Sequence, residues 1–180
     1  GRFTALHLSG EPGQKLKMKL DVIGYSVSIG ATSLSGVPDI TVRPYVMYDL
    51  GSGLTIAGTA YPIDRFELTI DNKIVPTFMQ GQTATDLEPT DREVWLSMQS
   101  KYTSTEKGLL TLARSGPVIA SPLVASLAFT NGSNSMTFSF GALVAQSKTV
   151  TVPGKQHLRL PLRYRAYQVS TTKEVVPVLV

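Results

Sequence analysis

A chain of 180 residues, 42% hydrophobic and 17% charged, can bury on the order of 70% of its unfolded surface in one core, yet carries little charge for a surface wholly given to water. Its 17 Lys and Arg against 13 Asp and Glu leave +4, a mild excess far from the dense basic stripe of a dedicated nucleic-acid binder. The absence of cysteine removes disulfides, thiol nucleophiles, iron-sulfur clusters and thiolate zinc sites together, and no apolar run approaches the roughly 20 residues of a bilayer-spanning helix.

In chain order, the first predicted element is a hairpin. Residues 2–8 enter a strand at once, "SGEPGQ" is a tight connection, and "KLKMKLDVI" at 15–23 sets Leu16, Met18, Leu20 and Val22 against Lys15, Lys17, Lys19 and Asp21, the strictest period-two pattern in the chain. The Gly- and Ser-rich stretch at about 24–39 reads as a long surface loop able to reach a neighbour. Short strands are expected at about 42–48, 53–60 and 65–71. The last of these, "RFELTID", places Phe66, Leu68 and Ile70 on one side and stops at Asp71-Asn72, where Asp and Asn side chains bond nearby backbone and favour a turn. Pro76 then limits what the following segment can pair with.

"DREVWLSMQ" at 91–99 is the next strand, with Val94, Leu96 and Met98 on one face and Glu93, Trp95 and Ser97 on the other, so the single Trp is expected to seal a second surface or an interface. One helix is predicted at about 103–114. Thr103 and Glu106 have capping-box spacing, Leu109, Leu110 and Leu112 give an apolar side, and Gly116-Pro117 supplies a stop. A hairpin turning at Asn131 to Asn134 follows, and "KQHLRLPLRYRAY" and "VVPVLV" are late strands. Nothing divides the chain, so 1–180 reads as a single mainly β domain, an antiparallel sandwich or barrel with one flanking helix.

Catalytic and metal chemistry find little purchase. His7 and His157 have no partner at metal-ligand spacing, the glycine pairs lack the Lys-Ser/Thr ending of a phosphate loop, and no nucleophile elbow is present. The acidic stretch with Asp86, Glu88, Asp91 and Glu93 lacks the spacing and glycine of a calcium loop and reads as a solvated loop. The late strand at 155–167 is different, because Arg159, Arg163 and Arg165 share one face with Lys155 and His157, and Leu158, Leu160, Leu162, Tyr164 and Ala166 share the other. Arginine suits bidentate pairing with carboxylate or phosphate, so this row fits a neighbouring subunit or a nucleic-acid backbone as well as water.

The order of these pieces, "FTALHLSGEPGQKLKMKLDVIGY", a Gly/Ser loop, "FELTIDNKIVP", "DREVWLSMQ", a helix, an apolar hairpin and "LRLPLRYRAY", resembles the tail tube proteins of long-tailed bacteriophages from about Phe3 to Ala166. The resemblance implies a non-enzymatic virion subunit without cofactor, built as a β-sandwich flanked by a helix. It implies assembly with itself into stacked hexameric rings in the host cytoplasm, contact with other tail proteins, no membrane, and a channel that DNA crosses without sequence-specific binding. It also implies N-terminal sequence ahead of the first strand. A β-sandwich recognition module of a virion or surface protein is the competing expectation. Because a channel that DNA slides through should not hold phosphates, Arg159, Arg163 and Arg165 are expected to pair across a subunit boundary, with Asp86, Glu88, Asp91 or Glu93 as partners.

Overall fold

A computed structural model describes residues 2–24, 43–51, 53–79, 86–101, 104–114, 123–147, 159–168 and 176–179. Beyond residue 24 the expected long loop lies outside these, as do Thr103, Gly116-Pro117, Lys155 and His157.

Strands β1 (Arg2–Gly10) and β2 (Lys17–Ile23) form the expected antiparallel hairpin. Its turn is closed by the Gln14 amide donating to the Glu11 carbonyl at 3.1 Å. β1 pairs on its other side with β5 (Arg65–Asp71), which pairs with β8 (Glu93–Lys101), which pairs with β11 (Arg159–Ala166). β11 leads to β10 (Asn134–Ser147), β9 (Leu123–Asn131), β3 (Leu54–Ile56) and β4 (Thr59–Tyr61), while β12 (Val176–Leu179) pairs with the first half of β10. The ten strands make one open sheet, not a closed barrel.

β10 is where this sheet becomes a sandwich. It pairs with β9 along most of its length, gives Met136 to Ser139 to β12, and gives Leu143 to Ser147 to β11, with register shifts at Phe140/Leu143 and Ala145/Ser147. Such bulges bend a strand and raise its twist, so one strand can serve two layers. The layers meet as Phe66 of β5 and Phe129 of β9, ring centroids 5.5 Å apart, within a core that includes Leu8, Leu68, Leu96, Leu127, Phe140, Leu160 and Tyr164. Helix α1 (Ser104–Arg114) buries Leu109 and Leu110 and lies against β4 and β10. This is the sandwich with a flanking helix that the pattern predicts.

Three local expectations change. In place of a strand at 42–48, a 3-10 helix occupies Met47–Leu50, because the buried Asp49 carboxylate accepts the Val46 amide at 2.8 Å and the Arg43 guanidinium at 2.9 Å and so draws the chain into a turn. The strand at 53–60 is a small hairpin, β3 and β4, with Ala57 (φ 48°) and Gly58 (φ 80°) forming the two-residue turn that matches strand twist. The acidic stretch is half strand: β6 (Ile74–Thr77) and β7 (Asp86–Pro89) form a separate two-stranded sheet that continues the β5–β8 pair.

Candidate subunit interface

The period-two pattern of five neighbouring strands aims one set of side chains away from the core. The rows can be followed across the sheet: Lys19, His7, Thr69, Trp95 and Arg165 are successive register partners on β2, β1, β5, β8 and β11, and Lys17, Ser9, Glu67, Ser97 and Arg163 form the next row. Arg159, opposite Lys101, lies on the same face near the far end of β11. The predicted arginine row is therefore real as a geometric object, about 20 Å long at the rise of an extended strand.

Trp95 sits inside it. The Arg163 guanidinium lies 4.1 Å and the Arg165 guanidinium 5.5 Å from the Trp95 ring centre, and Arg165 is also 5.3 Å from the Tyr167 ring. Guanidinium groups stack on aromatic faces by charge and dispersion together, so the ring orders both arginines. Below them Glu93 gathers three donors: Lys73 Nζ at 2.8 Å, Trp95 Nε1 at 3.3 Å and Arg165 at 3.4 Å. The Lys73 ammonium and then the Trp95 indole hold the Glu93 carboxyl below its usual range, and Glu93 raises Lys73 in return. Alternation in the sequence could place Trp95 and the arginines on outward faces, but not on adjacent strands, since nothing local joins β8 to β11.

The four acids are dispersed. Glu93 meets Arg165 within the chain. Asp91 lies between β7 and β8, its carboxylate accepting the Arg92 amide at 2.7 Å. Asp86 and Glu88 stand on β7, where Glu88 is the register partner of Val75 and Asp86 of Thr77, so they lie off the main sheet, beyond the Arg165 end of the row. The junction between sheet and arm is Asn72. Its amide donates to the Thr4 carbonyl at 2.7 Å, its side-chain nitrogen donates to the Phe3 carbonyl at 3.4 Å, and its side-chain oxygen accepts Arg92 Nε at 2.7 Å. Asp71-Asn72 thus ends one strand and fastens the start of the next.

A profile of phage tail tube proteins matches residues 1–166. The chain belongs to the phage tail tube protein family. The match spans β1 to β11, which include the arm and the arginine strand, and supports a structural role in the virion tail. No curated protein sequence matches the chain. His7, half-buried on the outward face, contacts Thr69 Oγ1 at 3.3 Å and Asp21 at 3.8 Å, and no cluster of metal-ligating side chains occurs among the described residues. No helix among them is long and apolar enough to cross a membrane.

Proposed function

We infer that this tail tube subunit is a non-enzymatic building block whose copies close into hexameric rings, and that the rings stack around a channel for DNA. The observation that carries the reading is the open sheet: among the described residues β2 is paired only with β1, and a strand edge left bare in a soluble chain invites another chain to complete it. In this reading assembly takes place in the host cytoplasm with other tail proteins, and DNA passes without sequence-specific contacts. Exposed Arg159 and Arg163 and the acids Asp86, Glu88 and Asp91 serve subunit contacts, while Glu93 and Arg165, already matched, stiffen the sheet face. The outward face with its arginines turns to a subunit boundary, because phosphates held there would slow DNA by the counterion-release affinity each contact adds.

Electron microscopy of the purified protein tests this reading directly. Hollow rods or rings with sixfold end views are expected, and a particle that stays monomeric at high concentration defeats it. Arg163→Glu is expected to block assembly while leaving the circular dichroism of the monomer unchanged. Tubes that form normally and are altered only in DNA passage would place the row in the channel instead.

A further inference from the structure

The β6–β7 arm has two unlike faces. Val75 and Glu88 are register partners, as are Thr77 and Asp86 two residues farther along, so these four side chains leave one face together. Asp86 and Glu88 are exposed and Val75 is half exposed, whereas the opposite face carries the buried Leu87. Both carboxylates belong to β7, about 7 Å apart at the rise of an extended strand, and β6 adds no charge beside them.

The outward face of β8 and β11 carries the opposite charge in a matching arrangement. Arg159 and Arg163 are exposed on one face of β11, about 13 Å apart, with Pro161 halfway between them. Their register partners on β8 are Lys101, Ser97 and, opposite Pro161, Gln99, so a stretch of short or neutral side chains is bracketed by cations. This stretch is hollow: two adjoining depressions meet at Gln99, one reaching Arg159 and Lys101, the other Ser97 and Pro161. The acids that border the hollow, Asp64 and Glu67, lie on its β5 side, and Glu11 there is paired with Arg65. Arg163 lies over the Trp95 ring at 4.1 Å, and a guanidinium stacked on a ring keeps its in-plane N–H groups for a carboxylate. Among the described residues no acid pairs with Arg159, Arg163 or Lys101, and no base pairs with Asp86 or Glu88.

We propose that the arm of one copy lays its acidic face along β11 of another, with β7 over β11, β6 over β8 and Glu88 at Arg163. This deepens, and rests on, the tube-subunit reading above by naming the surface that meets the arginine row. With Glu88 at Arg163, Asp86 falls about 7 Å along the strand, over Pro161 and within reach of the Arg159 side chain. Val75 and Thr77 then face Ser97 and Gln99. The reversed orientation would carry both acids toward Glu67, so like charge disfavours it, and charge of this kind sets register more than affinity. A second copy is required. The arm is a sheet of its own, fastened at Asn72 and by Thr90, whose amide and hydroxyl bond the Lys73 carbonyl at 3.1 and 2.7 Å, and it points its acids beyond the Arg165 end of its own row. When each copy gives its arm to the next, rings result where the rotation closes.

The test uses Arg163→Glu and Glu88→Lys, each alone, mixed in equal amounts, and combined in one chain, read by analytical ultracentrifugation and electron microscopy. Each variant alone sets like charges together at every contact and is expected to raise the concentration needed for assembly about tenfold or more. The mixture alternates wild-type and reversed pairs, and the double variant reverses every pair, so both are expected to assemble as the wild type does. Wild-type tubes with no loss in Glu88→Lys, or with a loss that neither the mixture nor the double variant repairs, overturn the docking and leave the tube reading standing. Repair by the double variant and not by the mixture would place the pair within one chain and overturn the contact between copies. A wild type that stays monomeric at high concentration overturns both readings. Rescue of Arg163→Glu by Asp91→Lys, and not by Glu88→Lys, would give the row to the β7–β8 connection instead of the arm. Repair that stops at twice the monomer mass would replace the series of contacts by a reciprocal pair. Should Arg163→Glu melt lower because Trp95 loses its stacked partner, Arg159→Glu with Asp86→Lys carries the same comparison. The wild-type threshold is also expected to rise with added salt, and a threshold independent of salt overturns the charge pairing.

Discussion

The hairpin β1–β2 holds the stricter alternation of apolar and polar residues, yet Leu127, Phe129, Phe138 and Phe140 of the hairpin β9–β10 are buried while Met18, Leu20 and Val22 of β2 are exposed. The difference is one of position in the sheet. β9–β10 lies where the sheet bends over itself, so its apolar face meets that of β5, whereas β2 is the last strand at the open end, one strand beyond β1, whose Leu8 is still buried in the core. Period-two patterning reports that a face will be covered and leaves open by what. For a subunit of a tail tube, the bare face is the one to examine for a neighbour.

Truncations in the two hairpins should give opposite readouts. Phe129→Ala should cost roughly 3–5 kcal/mol in urea unfolding of the monomer, since the ring is fully enclosed and opposed by Phe66. Leu20→Ala should change the same measurement by no more than about 0.5 kcal/mol, its deficit appearing only in assembly. A large monomer loss at Leu20 would erase the contrast between the hairpins.

The covered side is also fastened by a buried charge. The buried Asp49, bound to Arg43 and to the Val46 amide, holds the turn that carries Met47 and Leu50 into the core, and Asn131 at the end of β9 donates to the Arg43 carbonyl at 2.6 Å. Because Arg43 is half exposed and stays hydrated, Asp49→Ala is expected to cost about 1–3 kcal/mol and not the larger loss of a buried orphan charge. The pH dependence follows from the direction of the shift. Arg43 above all holds the Asp49 carboxyl below its ordinary 3.8, so its stabilisation is full above that value and disappears as pH falls through the lowered folded value. The difference in melting temperature between the wild type and Asp49→Ala should therefore shrink in strong acid, and a difference that persists at the lowest pH would assign the loss to packing.

A small effect of opposite sign is expected at Tyr164, on β11 in the middle of the sheet. Its hydroxyl is buried and finds no hydrogen-bond partner among the described residues, and burial pushes its pKa upward. Tyr164→Phe removes an unmatched polar group, so stability should hold or rise by up to about 1 kcal/mol in thermal unfolding. A clear loss would show that the hydroxyl is bonded.

Much of the architecture was legible from residues alone. Strict alternation marks β1, β2, β5, β8 and β11, the Asn131 to Asn134 turn joins β9 to β10, and Leu109 and Leu110 mark the buried side of α1, because each signal spans only a few residues and reflects local geometry. Less was legible where competing side chains intervene. The Asp49 carboxylate turns an apparent strand into a 3-10 helix, and an acidic stretch that reads as hydrated becomes β7 because β6 is there to pair with it. The candidate interface divides in the same way. Alternation along the chain is enough to put Arg159, Arg163 and Arg165 on one face and to set Lys15, Lys17 and Lys19 against apolar residues. That Trp95 lies under two of the arginines, that Glu93 is already matched, and that Met18, Leu20 and Val22 of β2 are exposed were outcomes of tertiary packing. Those outcomes depend on which distant strands become neighbours and where the sheet bends, and such non-local pairings are set by the packing of the whole sandwich.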